Sequence, residues 1–408
     1  MIECKKNPDI RYNQFSDDWE LRTLDDLASS FEYGLNAAAK DFDGMNKYLR
    51  ITDINDNSRE FVMDGLTSPD FELEKADNYL LSKGDILFAR TGASVGKTYS
   101  YKETDGKVYY AGFLIKAHIT EENDSEFVFQ NTLTDSYNNF VKKKSQRSGQ
   151  PGVNAQELAG FKLAVPSKEE QVKIGDFFKK IDELLMLQQH KYEKTVNMRK
   201  ALLEKMFPKN GEDKPEIRFK EFTDAWEQRK LGDVLIEHNE LTKGDRYPIA
   251  TSSRKGLFLQ KDYFSGARSG ISENLMYHLV PVNYITYRHM SDDSTFHFNK
   301  NRVKTPVLVS KEYPVFTTSE EANDEFILIH LNYSSGFSRF AHMQKKGGTR
   351  VRLYYKVLQS YNLLIPTLEE QKKIGNFLTQ FDNTLALQKL ELIKLRNIKK
   401  ALLQKMLL

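Results

Sequence analysis

The chain has 408 residues, of which 39% are hydrophobic, and this length predicts more than one domain with packed cores. Its single cysteine, Cys4, excludes an internal disulfide framework and a multi-cysteine metal site, and the expected location is a reducing cytoplasm. The formal net charge of +3 permits a nucleic-acid partner without demanding one, and no apolar run is long enough to predict a membrane span.

The first predicted domain, residues 1–166, contains the glycine-rich segment DILFARTGASVGKTYSY, Asp85 to Tyr101. Only three residues separate Gly92 from Gly96, whereas a phosphate-binding loop has four between its glycines and then opens a helix. Here a β-branched and aromatic run from Thr98 to Tyr101 follows, which is typical of a strand. The segment therefore predicts a strand, a tight loop and a second strand, and it disfavours an enzyme that binds nucleotide at this loop.

The same loop is a candidate for DNA contact. A glycine-rich turn lets the backbone approach phosphates closely, and polar side chains beside it can donate to phosphates or to base edges. The candidate residues of this loop are Arg90, Thr91, Gly92, Ser94 and Lys97. A plain structural turn is the alternative that the residues leave open.

A basic segment, KKKSQRSGQPG from Lys142 to Gly152, is the second candidate in this domain. Lysine and arginine suit phosphate contacts, while glutamine and arginine can also read base edges. Its candidate residues are Lys143, Gln146, Arg147 and Gln150. A solvated basic loop is the alternative interpretation.

Residues 167–207 are predicted to form one long helix. Ser167 and Glu170 match the pattern of a capping box, and apolar residues then recur at three- and four-residue steps. A helix of about forty residues is roughly 60 Å long, which is far beyond the usual three to four turns.

The second predicted domain, residues 208–366, follows the linker FPKNGEDKP, Phe207 to Pro215. Two of its segments are candidates for DNA contact: TSSRKG, which begins at Thr251, and a strand-like run from Asn283 that leads into RHMSDDSTFH. The candidate residues are Ser253, Arg254, Lys255, Arg288 and His289. The histidines and aspartates of the second segment lack the spacing of metal ligands, so no metal site is predicted.

A further basic segment, QKKGGTRVR from Gln344 to Arg352, precedes a second long helix at residues 367–408. Its candidate residues are Lys346, Thr349, Arg350 and Arg352. The segment is the counterpart of the basic segment that begins at Lys142, and this matched position before each helix favours DNA contact over a plain solvated loop.

The two halves of the chain form a tandem repeat. Residues 165–206 and 365–406 align without a gap and are identical at about half of their positions, and the openings that begin at Pro8 and Pro215 also match. The fold is therefore predicted to be α+β: a tandem pseudo-two-fold repeat of two mixed α/β domains, each followed by a long helix. The two helices are expected to pack as an antiparallel, coiled-coil-like spacer with one globular body near each end. The alternative is that each helix covers only its own domain.

This pattern closely resembles the DNA-specificity subunit of type I restriction–modification systems over essentially the whole chain. The motifs that carry the resemblance are GDILFARTGASVGK, the helix starts P-S/T-x-EEQ-x-KIG-x-F, the helix ends KALL-x-KM, and the openings F-S/T-D-x-W-E-x-R-x-L. The resemblance implies that each variable body is a target-recognition domain that reads one half of a split sequence in double-stranded DNA.

The resemblance also implies partners. Two copies of the cognate adenine methyltransferase subunit would dock on the helices, and the assembled complex would recruit restriction subunits with ATPase and nuclease activity. The helix positions given to partner binding are Ile174, Phe177, Ile181, Leu185, Ile374, Phe377, Phe381 and Leu385. Neither a catalytic set nor a cofactor is predicted for this chain, so the chemistry would reside on the partners.

The two bodies differ in sequence, so the two half-sites are expected to differ and the target to be asymmetric. The rival interpretation is an interaction protein whose helix pair tethers two binding domains without any role in DNA recognition. The matched basic segments before the two helices favour the DNA-binding interpretation.

Overall fold

The computed structural model describes residues 7–146, 150–209, 211–263, 274–345 and 350–407. The chain divides into two compact units: unit 1 comprises Met1–Lys191 with Gln388–Leu408, and unit 2 comprises Tyr192–Leu387. Within the described ranges, every helix is too short or too polar to cross a membrane.

The elements of the first half of the chain are ten strands and four α-helices in the described ranges. The strands are β1 (Glu20–Thr23), β2 (Ala28–Tyr33), β3 (Ala38–Asp41), β4 (Lys47–Leu49), β5 (Thr67–Asp70), β6 (Asp85–Ala89), β7 (Thr98–Ser100), β8 (Val108–Tyr110), β9 (Leu114–Ile119) and β10 (Lys162–Val165). The helices are α1 (Ser125–Asn131), α2 (Asp135–Lys144), α3 (Ala155–Ala159) and α4 (Lys168–Lys205).

Unit 1 is built on a four-stranded antiparallel sheet in the order β2-β9-β6-β7. All five residues of the inner strand β6 are buried, as expected for a short apolar run. Ile86 and Phe88 of β6 share a core cluster with Phe127 of α1 and Tyr137 of α2. The loop that leaves the end of β6 therefore starts from a fixed, buried strand.

The elements of the second half follow a similar order. The strands are β11 (Glu227–Lys230), β12 (Leu235–Glu237), β13 (Leu241–Lys243), β14 (Ala250–Ser253), β15 (Gly256–Leu259), β16 (Met276–Val280), β17 (Ile285–Tyr287), β18 (Met290–Ser291), β19 (Phe298–Lys300), β20 (Val307–Ser310), β21 (Val315–Thr318), β22 (Val351–Arg352) and β23 (Asn362–Ile365). The helices are α5 (Gln260–Tyr263), α6 (Asp324–Tyr333), α7 (Ser335–Met343), α8 (Tyr355–Leu358) and α9 (Leu368–Met406).

Unit 2 is built on the sheet β12-β21-β17-β19, in which β17 is an inner strand with all three residues buried. Tyr287 of β17 packs against Phe298 and Phe316 of the two flanking strands, with ring centroids 4.5 and 6.4 Å apart. β17 thus occupies the place in unit 2 that β6 occupies in unit 1.

The matching openings of the two halves have matching partners. β1 pairs antiparallel with β10, the strand just before α4, and β11 pairs in the same way with β23, the strand just before α9. Trp19 and Trp226, which precede β1 and β11, pack on Phe127 and Phe326 at ring-centroid distances of 6.0 and 5.7 Å. The opening of each half is therefore joined by strand pairing to the strand that leads into the long helix of that half.

The helix-start motif EEQ-x-KIG fastens each long helix to its domain. In unit 1, Arg11 donates to both carboxylate oxygens of buried Glu170 at 2.8 Å. The side-chain oxygen of Gln171 accepts the backbone N–H of Asp124, the N-cap of α1, at 3.0 Å. A Cβ on Gly175 would lie 2.4 Å from the Asp124 carboxylate, so only glycine allows this approach.

Unit 2 repeats the arrangement with Arg218, Glu370, Gln371, Asn323 and Gly375. The threonine hydroxyl of Thr367 accepts the backbone N–H of Glu370 at 3.4 Å, as the capping-box pattern predicts. The glutamate side chain, however, is engaged by arginine from the opening of the same half, which a capping box does not require.

The long helices α4 and α9 pack against each other in antiparallel fashion. In unit 1, Lys399 of α9 donates to both carboxylate oxygens of Asp182 of α4, at 2.6 and 2.7 Å, and Arg396 donates to Gln189 at 3.1 Å. Residue numbers rise along one helix as they fall along the other, so the predicted antiparallel packing is confirmed. In unit 2, Arg199 and Asp382, at the repeat positions of Lys399 and Asp182, form the same ion pair at 2.6 Å.

Candidate nucleic-acid interface

The loop between β6 and β7 in unit 1 connects two paired antiparallel strands, which confirms the predicted strand, tight loop and strand. Gly92 and Gly96 have left-handed backbone angles, with φ of 70° and 81°. A Cβ on Gly96 would lie 2.6 Å from a methyl carbon of Val141 in α2. Backbone conformation and close packing on α2 therefore both require glycine at Gly96.

This loop lies directly beside the end of the basic segment that was predicted separately. Thr91 forms a β-bridge with Gly152, the backbone N–H of Gly92 donates to Pro151 O at 3.0 Å, and Val153 N–H donates to Arg90 O at 2.9 Å. The exposed Gln150 side chain also lies over Gly92, with its amide nitrogen 3.1 Å from where a Cβ would be. Two sequence-predicted segments thus form one surface of unit 1, here named surface 1 (Arg90–Gly96 with Gln150–Val153).

Arg90 lies at the start of surface 1 and is held from two sides. Its Nε donates to Gly112 O at 3.1 Å, and its guanidinium carbon lies 5.0 Å from the ring centroid of Tyr33. The rings of Tyr33 and Phe113 are both well exposed beside it. These aromatic residues are not distinguished by any local sequence pattern, because they reach Arg90 only through the pairing of distant strands.

Lys97, at the end of the loop, is buried and faces away from solvent. Only 9% of its surface is exposed, and its Nζ contacts Asp56 Oδ1 at 2.5 Å and donates to Ile54 O at 3.1 Å. The lysine therefore joins the loop to a neighbouring turn, which differs from the donor role toward DNA predicted from the sequence. The physical reason is that the end of the loop places this side chain against the turn that contains Asp56.

That neighbouring turn also contains Arg59, a basic residue that was not among those predicted from the sequence to contact DNA. Arg59 has a left-handed backbone (φ 61°), which is uncommon for a residue with a side chain. Burial lowers the pKa of its guanidinium although Asp56 acts in the opposite direction. The sequence before Arg59, NDNS, contains neither a glycine nor a cluster of basic residues, so no local pattern indicated a basic site at this turn.

In unit 2, the loop after β17 lies beside the segment that precedes the long helix α9. In unit 1, the loop after β6 lies beside the corresponding segment before α4. Leu353 N–H donates to His289 O at 2.8 Å, and the strands β18 and β22 pair Met290 with Arg352 and Ser291 with Val351. The ring of His289 is buried and stacks on Tyr354 with centroids 5.5 Å apart, and burial lowers its pKa. His289 is thus a packing residue, whereas Arg288 and Arg352 are exposed.

A third segment joins this loop in unit 2. Arg254, on the turn between β14 and β15, donates to Asp293 Oδ1 at 2.5 Å, and Arg350 donates to Asp292 Oδ1 at 2.9 Å. The three segments that were predicted separately therefore meet in one surface, here named surface 2 (Ser253–Lys255, Arg288–Asp293 and Arg350–Arg352). The acidic members Asp292 and Asp293 were not predicted to belong to the DNA-contacting set.

The remaining candidates are distributed as follows. Ser253 is engaged in its own turn, where its hydroxyl donates to Gly256 O at 3.1 Å. Lys143, near the end of α2, Gln146 and Lys255 are exposed. Arg147, Lys346 and Thr349 lie outside the described residues.

The apolar helix positions predicted for partner binding are only partly on the surface. Ile174 and Ile374 are 2% and 1% exposed and belong to the core of their own unit, because the start of each helix packs on its domain. Phe177, Ile181 and Phe377 pack against the same cores, and Leu185, Phe381 and Leu385 are half-buried. The exposed apolar side chains of the helices include Leu187 and Leu387, 65% and 68% exposed, at equivalent positions of the repeat.

Within the described ranges, no group of three or more His, Cys, Asp or Glu side chains is arranged so that it could hold a metal ion. Surfaces 1 and 2 instead offer guanidinium, amide and hydroxyl donors beside exposed aromatic rings. Groups of this kind suit contacts to phosphates and base edges.

Comparison with known proteins gives a consistent result. The family model of the type I restriction modification DNA specificity domain matches residues 16–196 and 223–397. The chain is 21% identical over 414 residues to the type I restriction enzyme MjaVIII specificity subunit of Methanocaldococcus jannaschii, covering 96% of this chain and 92% of that protein. It is 23% identical over 419 residues to the putative type I restriction enzyme MjaX specificity subunit of the same organism, covering 97% and 94%.

Among solved structures, the crystal structure of the type I restriction-modification system S subunit from M. genitalium matches with a TM-score of 0.63 and 14% identity, covering 98% of both chains. This likeness shows the same fold. The two family matches occupy most of both halves of the repeat. The chain therefore belongs to the type I restriction–modification DNA specificity family and is a specificity subunit with two DNA-recognition domains.

Proposed function

We propose that the two recognition domains read the two halves of a split, asymmetric DNA target through surfaces 1 and 2. The observation that carries this proposal is the shared juxtaposition in both units. In each, the loop that leaves the inner strand pairs with the segment that precedes a long helix. The same frame thus presents two different sets of side chains.

The chemistry of the two surfaces supports different half-sites. Surface 1 presents Arg90 and Gln150 beside exposed aromatic rings, whereas surface 2 presents several arginines and two aspartates. Arginine can bond guanine and glutamine can bond adenine, whereas the aspartates change the charge of surface 2. Because these sets differ, a palindromic target is not expected.

We further propose that the chain is a non-catalytic scaffold in the cytoplasm that holds two copies of a cognate adenine methyltransferase subunit, and through them restriction subunits. Support comes from Leu187 and Leu387, which occupy equivalent positions of the two long helices and are exposed in their own units. Large exposed apolar side chains at matched positions suit a pair of like partners.

The target itself can be identified in a host that carries the cognate methyltransferase, by mapping methylated adenines with and without this chain through single-molecule sequencing. A split, asymmetric motif that appears only with the chain would support the proposal. If the methyltransferase is expressed and folded but no new motif appears, a tether without a role in DNA recognition becomes the better interpretation.

A substitution in surface 1 tests whether this surface recognises one of the two half-sites. Arg90→Gln should weaken or relax recognition of one half-site only, by about 1–3 kcal/mol, because it removes a charged donor from one of two separate reading surfaces. The measurement is the methylation level and base preference at each position of the motif.

The matched control is Lys83→Gln, which removes an exposed positive charge at the opposite end of β6. This control should leave the motif unchanged. An unaltered motif and methylation level in Arg90→Gln would contradict the assignment of surface 1 to DNA recognition.

A further inference from the structure

Surface 2 contains two ion pairs that join its three segments. Asp293 accepts from Arg254 across 39 positions of sequence, and Asp292 accepts from Arg350 across 58. All four side chains are at least half exposed. Two arginines of surface 2, Arg254 and Arg350, are therefore each paired with a carboxylate.

The two aspartates are held differently. Asp293 also accepts from the Ser291 hydroxyl at 2.8 Å and from Thr295 N–H at 3.1 Å, and these hydrogen bonds with Arg254 keep its pKa well below the usual range. Asp292 is more exposed, at 72%, and it accepts from the Arg350 side chain. Asp293 thus helps to shape the loop, whereas substitution of Asp292 mainly changes charge.

Stability does not explain why these carboxylates lie on this surface. Exposed ion pairs contribute little to folding, because water and salt screen the charges and the side chains lose freedom. On a surface that meets DNA, a carboxylate also repels phosphates, and it offsets the positive charge of the arginine with which it pairs. The pairs therefore lower the general attraction of surface 2 for any duplex.

A protein that recognises a base sequence becomes more specific when its attraction for every duplex is reduced. The reason is that specificity is the difference between the affinities for target and non-target DNA. Contacts to phosphates supply nearly all non-specific binding and raise it for every sequence alike. If the carboxylates suppress these contacts, the arginines are released only where the bases replace the lost ion pairs. The weakness of the exposed pairs makes this exchange feasible.

Resting on the proposed function, we propose that Asp292 and Asp293 are specificity-determining residues that offset Arg350 and Arg254 and so weaken binding to non-target DNA. These residues change the discrimination between target and non-target DNA through their negative charge. They are not proposed to bind a ligand of their own.

The test uses the full chain assembled with its methyltransferase subunits and two probes: a short random-sequence duplex and a duplex that carries the mapped target. Asp292→Asn and the double variant Asp292→Asn/Asp293→Asn are compared with the wild type in salt titrations. Each arginine released to a phosphate should steepen the logarithmic salt dependence on the random duplex by about 0.9. For the double variant, the change in affinity between 50 and 200 mM salt should therefore grow about tenfold.

The ratio of target to random affinity should fall in both variants, and methylation should spread to near-target sites. Asp245→Asn is the matched control, since Asp245 is exposed in unit 2 and takes no part in either pair. Asp292→Asn guards against misfolding of the loop, because Asp293 and its hydrogen bonds remain in that variant.

An unchanged salt dependence and an unchanged affinity for the random duplex in Asp292→Asn would overturn the inference. Reduced target affinity with unchanged random affinity would also overturn it, in favour of direct reading of a base by aspartate. If the wild-type complex binds neither duplex at any salt concentration, the proposed function itself fails, and this result is separate from the other two.

Discussion

His330 is enclosed in the core of unit 2, where its Nε2 lies 3.0 Å from the Tyr361 hydroxyl and its ring packs near Phe207 and Phe326. Burial lowers its pKa to about 4, so the folded protein holds it neutral. In the unfolded chain its pKa is about 6.5. Between these values the unfolded state binds more protons, so the stability of unit 2 is full above pH 6.5 and is lost as the pH falls toward 4.

This residue gives a testable pH dependence. Between pH 7 and pH 5, unit 2 should lose about 2 kcal/mol more stability in the wild type than in His330→Gln, which keeps a polar group near Tyr361 but does not titrate. The measurement is the free energy of unfolding from urea titrations at the two pH values. Parallel losses in both proteins would show that another group controls the acid sensitivity.

Lys97 and Arg90 show that the sequence alone does not predict which basic side chain of a loop is buried and which is available for DNA contact. Both are basic residues at the ends of one short loop, and their local sequence does not separate them. The fold buries Lys97 against Asp56 and leaves Arg90 beside exposed Tyr33. The contacts that direct each side chain come from residues at least 22 positions away, so composition alone cannot assign its role.

At the scale of elements, the start of each long helix packs closely against the N-cap of a shorter helix in its own unit. Gly375 lies inside α9, where a Cβ would be 2.7 Å from the side-chain oxygen of Asn323, the N-cap of α6. In an open helix, replacing glycine by alanine stabilises by about 1 kcal/mol. Here the added methyl group would displace the cap, and a lost cap costs about 0.5–2 kcal/mol.

Gly375→Ala is therefore expected to destabilise unit 2 rather than stabilise it, as measured by thermal or urea unfolding. The test is completed by Gly375→Ala combined with Asn323→Ser, since serine still caps a helix but has a shorter side chain. This second change should recover part of the loss. A Gly375→Ala protein that is more stable than the wild type would refute the close-packing explanation.

The strands were predicted less completely than the helices. The strand-like run from Asp85 was confirmed as β6, whereas the run from Asn283 becomes a strand only at Ile285, because Asn283 has a left-handed backbone with φ of 70°. Helix capping and apolar periodicity act within a few residues of sequence, but a strand also needs a partner. The pairing of β1 with β10 joins residues about 140 positions apart, and no local pattern of the opening encodes it.

At the scale of the whole molecule, the tandem repeat gives a prediction about partner number. Leu187→Asp and Leu387→Asp should each remove one methyltransferase copy from the complex, and the double variant should remove both, because a charge at an apolar contact is costly to bury. Native mass spectrometry of the complex measures the stoichiometry directly.

The control for this experiment is Lys200→Asp, an exposed position of α4 that helical geometry turns to the side opposite Leu187. It should leave two methyltransferase copies bound. Retention of both copies by the double leucine variant would place the docking surface elsewhere on the chain.

The sequence by itself determined the tandem repeat, the two long helices and the family, because these follow from identity between halves, apolar periodicity and capping residues. It also located most segments of surfaces 1 and 2, since basic and glycine-rich runs stand out from their neighbours. Only the tertiary structure decided that these segments meet, that Lys97 is buried, and that Asp292 and Asp293 pair with Arg350 and Arg254. The physical reason is that such contacts join segments far apart in sequence, and the partner of a charged side chain depends on which strands the fold brings together.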